Sequence, residues 1–302
     1  MIKRSLARAL PALALLSLVL AAPACKKPAE GGSDAPGGDG ASSGQVKSDE
    51  VMLRYKADAA AKLRESGRLE VRLSGPQSGS MIADVAGNIE LSQGGDGKLK
   101  VAYAVDEVRE ITLSGVFEPK PKEGEAPKDP KEELLKAKGA KLVDLRGETD
   151  EAGTKALAEN KKPEGEGDMT GGLGDILGLP ELPEVGLKLG QAVKREVEKQ
   201  EDLGGLKIPM DEESTYTLVK IDDSSGKRLA EVKIEKEGSG ATELPQGGGL
   251  LSVDQLAEIV LVFNLDDQLP VSMHVEQTSN FAFGSQGGGE TRVVIDATFS
   301  PV

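Results

Sequence analysis

Histidine and cysteine occur once each in these 302 residues, as His274 and Cys25, and tryptophan is absent. Those scarcities exclude much chemistry. A Ser-His-Asp or Cys-His site needs an imidazole base beside its nucleophile, and only His274 is on offer. Zinc held by several His and Cys ligands is ruled out by counting. A disulfide within the chain needs a second cysteine. Sugar sites generally present flat aromatic faces, and three Tyr and five Phe supply few of them. Paired carboxylates remain compatible with the count, since their pairing in space is invisible in a sequence, but carbohydrate binding or cleavage is not expected.

The motifs that remain read as structure. His274 lies in Val271-Ser272-Met273-His274-Val275, where Val271, Met273 and Val275 share the apolar side and His274 faces outward with Ser272. It is expected to be an exposed strand histidine. Asp222-Asp223-Ser224-Ser225-Gly226 lacks the spaced ligands and terminal Glu of a calcium loop, and is expected to be a hairpin turn. Gly171 to Gly174 and Gly247 to Gly249 have no following Lys-Ser/Thr and no phosphate-binding spacing, so they read as loops. No catalytic, cofactor or metal site is expected, and the chain reads as a non-enzyme.

The N-terminus carries an address. Lys3, Arg4 and Arg8 precede an apolar stretch from Leu10 to Leu20, and Ala21-Ala22-Pro23-Ala24 supplies small residues before a cleavage site. A spanning helix needs about 20 apolar residues, and this stretch is shorter and contains Pro11. Residues 1–24 therefore read as a signal peptide cut between Ala24 and Cys25. Ala22-Pro23-Ala24-Cys25 resembles the lipobox of bacterial lipoproteins, although Ala22 stands where Leu is usual. An ordinary cut at the same bond would leave a free thiol instead. Cys25 cannot pair within the chain and sits at the cut, so it is expected to be acylated. Stable anchoring needs two acyl chains or more, which such a cysteine carries. Lys26 follows it rather than Asp, and the resemblance implies an outer-membrane address.

Residues 25–48 then form a tether rich in Gly, Ser, Ala, Pro and Asp, too polar to offset its ordering entropy. Its reach is roughly 25 Å. Removing Lys3, Arg4 and Arg8 from the 37 basic residues leaves 34 against 51 acidic ones, a net charge of −17. A chain this acidic is repelled by phosphate backbones and anionic headgroups. Nucleic acid is not expected as a partner, and the bilayer is expected to be engaged through the acylated N-terminus.

From residue 49 the apolar residues recur mainly with period two, the sign of half-buried antiparallel strands. A first β half, 49–117, opens with Glu50 to Lys56, continues through Leu69, Val71 and Leu73 and through Met81, Ala83 and Val85, bends at Gly87-Asn88, and turns at Gly94 to Gly97. Asp58 to Glu65 has the composition of a single helical turn. Residues 118–170 form a charged, Pro-rich insert, largely loop, with a short helix expected over Pro130 to Lys138 and one strand over Lys141 to Gly147. Residues 171–302 hold a connector and a second β half, whose strand series begins at Thr215 and turns at Asp222 to Gly226 and at Asp266 to Gln268.

Leu179-Pro180-Glu181-Leu182-Pro183-Glu184-Val185-Gly186-Leu187-Lys188-Leu189-Gly190-Gln191 resembles the hinge of an uncharacterised bacterial lipoprotein family built of two β-rich halves. Arg54-Tyr55-Lys56 and Tyr216-Thr217-Leu218-Val219-Lys220 match its flanking strands. Where the family has Asp and Trp after the glycine, this chain has Gln191 and Ala192-Val193. The resemblance implies a fold and an address but no activity.

The expected architecture is mainly β: antiparallel meander strands forming a half-barrel or sandwich, in two similar halves with a charged insert. The expected function is a membrane-anchored envelope lipoprotein with a non-enzymatic binding or structural domain and an envelope protein as partner. The alternative is a carrier of an apolar ligand in a half-barrel cavity. Ile176 to Leu187 would line such a cavity or, more in keeping with its composition, pack over the sheet as a connector.

Overall fold

Alternation on this scale resolves into twelve strands and one short helix in the computed structural model, which describes residues 50–56, 61–76, 78–119, 129–150, 179–203, 206–244, 249–283 and 287–302. The elements are β1 (Glu50–Val51), β2 (Ala61–Ser74), β3 (Gly79–Gly95), β4 (Lys98–Gly115), α1 (Pro130–Leu134), β5 (Lys138–Val143), β6 (Leu187–Lys188), β7 (Ala192–Leu203), β8 (Leu206–Asp222), β9 (Leu229–Glu243), β10 (Leu250–Asn264), β11 (Leu269–Phe283) and β12 (Gly288–Pro301). Ten of them form one antiparallel sheet in the order β5-β4-β3-β2-β12-β11-β10-β9-β8-β7, not closed into a barrel. Two meanders thus become one sheet where β2 meets β12, with Val71 opposite Val293 and Leu69 opposite Ile295. β1 and β6 pair separately.

Among the described residues, one face of the sheet is covered and the other is not. Leu69 and Val71 on β2, Leu99 and Val101 on β4, Val232 and Ile234 on β9, Leu261 on β10 and Val275 on β11 are buried on the covered face. Their sequence neighbours point the other way and carry most of the charge, for example Glu70, Lys233, Glu235 and Glu258. Period-two patterning with one buried face fixes the register of every strand, because a one-residue slip would exchange the two faces.

Several local expectations are corrected. Ala61–Glu65 is strand, not a helical turn, since Leu63 and Glu65 point into the core and pair through the ladder with β3 and β12. Residues 57–60 lie outside the described residues. Gly87-Asn88 is no bend: β3 runs on through a bulge, and Gly87 is required because a Cβ there would stand 2.5 Å from the Ala104 carbonyl oxygen. The insert strand runs from Lys138 to Val143 rather than from Lys141 to Gly147, and the helix stops at Leu134. That helix is capped by Asp129, whose side chain accepts from the Lys131 amide, and begins with Pro130 at a position where the missing N–H costs nothing. The second series starts at Ala192, well before Thr215. Glu50 to Lys56 is paired only at Glu50–Val51. Beyond it the chain stays extended and alternates because it lies on the sheet: Val51, Leu53 and Tyr55 are buried and Met52 is exposed.

Three non-sheet segments cover the apolar face and knit to one another. Tyr55 donates its amide to the Leu145 carbonyl at 2.8 Å, and the Leu182 amide donates to the Arg146 carbonyl at 2.7 Å. The Tyr55 hydroxyl donates to the Pro180 carbonyl at 2.7 Å, and Arg54 donates to the carbonyls of Pro183 and Glu184. Gly147 sits at φ +86°, a conformation that L side chains rarely adopt, with the Pro180 carbonyl 2.7 Å from where its Cβ would be. Leu179, Leu182 and Leu187 are buried in the same cluster, as a connector packed over the sheet would be. Tyr55 meets Phe263 of β10 edge-on, with ring centroids 5.7 Å apart. Replacing Tyr55 by Ala should cost about 3–5 kcal/mol of unfolding free energy, and Tyr55→Phe about 1–3 kcal/mol for the orphaned carbonyl. Urea unfolding of the two variants checks this order.

Candidate functional site

Cys25 and Ala24 lie outside the described residues. His274 is on the uncovered face, as its pattern implies, and its Nδ1 is 2.6 Å from Asp296 on β12, directly opposite in register. Its Nε2 faces Glu276 at 3.5 Å. The hydrogen bond to Asp296, reinforced by Glu276, raises the imidazole above its ordinary range against the opposing effect of partial burial. A carboxylate thus stands at each ring nitrogen and fixes the orientation of the imidazole on the sheet. Asp222 likewise serves its turn, accepting from the Ser224 amide at 2.9 Å and from Lys220 at 2.7 Å. Gly171 to Gly174, Gly247 and Gly248 lie outside the described residues, and Gly249 closes a turn by accepting from the Leu244 amide. Among the described residues no group of three or more His, Cys, Asp or Glu has the geometry of a metal site.

A feature invisible in the alternation is a chain of charges under the connector. Arg146 pairs with Asp144 at 2.8 Å and with Glu148, and Arg195 of β7 reaches Glu148 at 3.7 Å and Glu181 at 2.8 Å. Glu181 meets Lys236 of β9 at 3.4 Å, and Lys236 meets Glu212 of β8 at 3.6 Å. Lys199 closes the chain between Glu212 at 2.7 Å and Glu201 at 2.8 Å, and Gln255 of β10 donates to Glu201 at 3.1 Å. Signs alternate along its whole length. Burial opposes the charge on Lys236, but Glu181 and Glu212 outweigh it and hold the amine above its usual range. Burial opposes Glu212 too, and Lys236 and Lys199 hold it below the usual carboxylate range. Each of the four cations lies between two of the five carboxylates, so the chain binds the connector and the 144–148 turn to β7, β8 and β9. Glu181→Ala would leave Arg195 with Glu148 and Lys236 with Glu212 at longer range, and should cost about 3 kcal/mol, measurable as a fall in the urea midpoint without loss of the sheet signal in circular dichroism.

The same face carries a polar belt. Glu212, Gly238, Gln255, Ser279 and Thr291 face one another in register across β8 to β12, and the four with side chains are buried. On one side lies the main core. On the other is a second apolar cluster of Ile208, Met210, Leu251, Val253 and Phe281.

Glu65 is the exception to charge matching. It is buried on β2, one of its carboxyl oxygens finds no hydrogen-bond partner, and it lines a small cavity with Val85, Gly87, Tyr103 and Val105. Burial pushes the carboxyl up to about 8, with Lys141 pulling weakly the other way. The folded protein therefore keeps this proton near neutrality. Stability from that proton is complete below the unfolded value near 4.5 and is lost as pH rises through about 8. Glu65→Gln should abolish this loss, so that the variant gains up to about 4 kcal/mol over the wild type between pH 5 and pH 9, as read by denaturant titration at each pH.

The uncovered face is strongly acidic toward one end. A concavity of about 790 Å³ there is lined by residues 196–198 of β7, 211–213 of β8, 237–239 of β9 and 254–256 of β10, among them Glu196, Glu198, Asp211, Glu213, Glu237 and Asp254. Lys194 answers Glu213 at 2.6 Å, and Leu256 is 55% exposed. No described helix is long and apolar enough to cross a membrane. No protein-family model matches this chain, and no curated protein matches it significantly.

Proposed function

We propose that this chain is a lipid-anchored protein of the bacterial cell envelope whose β domain binds a protein partner rather than catalysing a reaction. The leader ending at Ala24, the lone cysteine after it and the polar tether support the address. Lys26, in the place of an inner-membrane Asp, supports the outer membrane by resemblance. The observation that carries the binding role is how the chemistry is distributed. The one histidine is held between Asp296 and Glu276, and each cation under the connector is held between two carboxylates. Reactive potential is spent on structure, while an uncovered, charged sheet face is left for recognition.

A second reading, a carrier of an apolar ligand, is favoured by the separate cluster of Ile208, Met210, Leu251, Val253 and Phe281 beyond the polar belt. Lipid that stays bound to the purified domain in native mass spectrometry would support it. Its absence, with a reproducible crosslink to one envelope protein in cells, would support the binding module.

For the anchor, labelled fatty acid should enter the wild type and be lost in Cys25→Ser, which should leave the membrane fraction. A wild type that takes up no label would reduce the protein to an exported soluble domain.

A further inference from the structure

The two edges of the sheet are finished differently. At one, β4 is flanked by the six-residue β5, and past it the Val105 amide donates to the Ala137 carbonyl while α1 packs alongside. At the other, β7 has a single neighbour, β8, and its twelve residues pair in unbroken register. Its outer side has no strand beside it among the described residues. Proline, bulges, lysines and a covering element are the usual protections of such an edge; β7 has Lys194 and Lys199 but no proline or bulge and, among the described residues, no covering element. Charges that point inward are another such protection, but Arg195 and Lys199 are neutralised by Glu181, Glu148, Glu201 and Glu212 on the covered face.

We propose that β7 is a docking edge, onto which a partner protein adds an extended segment whose residues alternate between cationic and apolar. This rests on the binding-module reading and names the partner's chemistry. An added strand draws its affinity from main-chain hydrogen bonds and its specificity from alternate side chains. On the uncovered face it meets Glu196 and Glu198, backed by the carboxylates Asp211, Glu237 and Asp254, with Lys194 beside them already bonded to Glu213. Lysine or arginine at every second position satisfies them. On the covered face it meets Val193 and Val197, both half-buried, which call for apolar residues between the cations. A second copy of this chain is the poorer occupant. Laid antiparallel about Val197 it opposes Glu196 to Glu198 twice, and about Arg195 or Glu196 it gains two pairs from Lys194 but opposes Arg195 or Glu196 to its own copy, and opposed like charges destabilise a strand pair. A basic strand answers both glutamates without such opposition.

The test uses the mature chain and a fluorescent peptide of five Lys-Val repeats, with five Glu-Val repeats as control. The Lys-Val peptide should bind, and the Glu-Val peptide should not. Bound peptide should slow hydrogen exchange of β7 amides tenfold or more. Methylating the backbone nitrogens that face β7 should abolish binding, whereas methylating the alternate set should preserve it. Glu196→Lys/Glu198→Lys should weaken binding by about tenfold or more. Glu110→Lys/Glu118→Lys, an equal change of charge at the other end of the molecule, should leave it nearly unchanged. Binding that ignores both patterns of methylation, slowed exchange elsewhere than β7, or no binding at all would overturn the inference. Those results leave a cellular crosslink to an envelope partner intact, so the docking edge and the binding-module reading fail separately.

Discussion

Glu181 holds the fold in its particular form. A single sheet with one apolar face is not stable until something lies on that face, and here the cover is irregular chain rather than a second sheet or a row of helices. Irregular chain carries backbone groups that must be satisfied when buried. The three covering segments satisfy many of theirs on one another, through Tyr55 to Leu145 and Leu182 to Arg146. What ties them to the sheet with direction is Glu181, accepting from Arg195 on one side and meeting Lys236 on the other. Apolar packing alone would allow the connector to slide. A carboxylate between two cations on β7 and β9 gives it one register, in the way that a buried polar contact specifies pairing in other folds.

The second organising contact is the β2 and β12 ladder. It joins residues about 230 positions apart, such as Thr298 and Ser66. Every other ladder in the large sheet links neighbours along the chain. Each meander can form locally, but a meander alone exposes a long unpaired strand, and only the central ladder removes both. Non-local pairing of this kind slows folding because loop closure is unfavourable until the contact is made.

Much of this was legible in the residues, and the failures have physical causes. Strands such as β9 and β11 were evident because apolar and polar residues alternate cleanly, as in Ala230, Val232 and Ile234. β7 and the first half of β8 were not, because Arg195, Lys199 and Glu212 interrupt the covered side that Val193, Val197, Ile208 and Met210 otherwise form. Charge on both faces erases the period. The same mismatch was the one available signal for the ion chain: strand-length segments with charges at apolar positions. Val51, Leu53 and Tyr55 misled in the opposite sense, since an extended segment lying on a sheet alternates as a strand within it does. Glu65 sat in a segment with helical composition, and only the ladder partners of β2 decide otherwise.

The position of the seam also has a mechanical consequence. Ladder hydrogen bonds lie perpendicular to the strands, so a pull across a sheet opens them one after another. A tension entering at β2 and leaving at β7 would cross six ladders in series, the weakest direction in which a sheet can be loaded. The connector offers a shorter route. Through Glu181, Arg195 and Lys236 it links the segment beside Tyr55 to β7 and β9 without passing through the intervening strands. Under strain the ion chain would act as a strut, and the molecule's resistance to stretching would then depend on pH and salt as much as on its hydrogen-bond count.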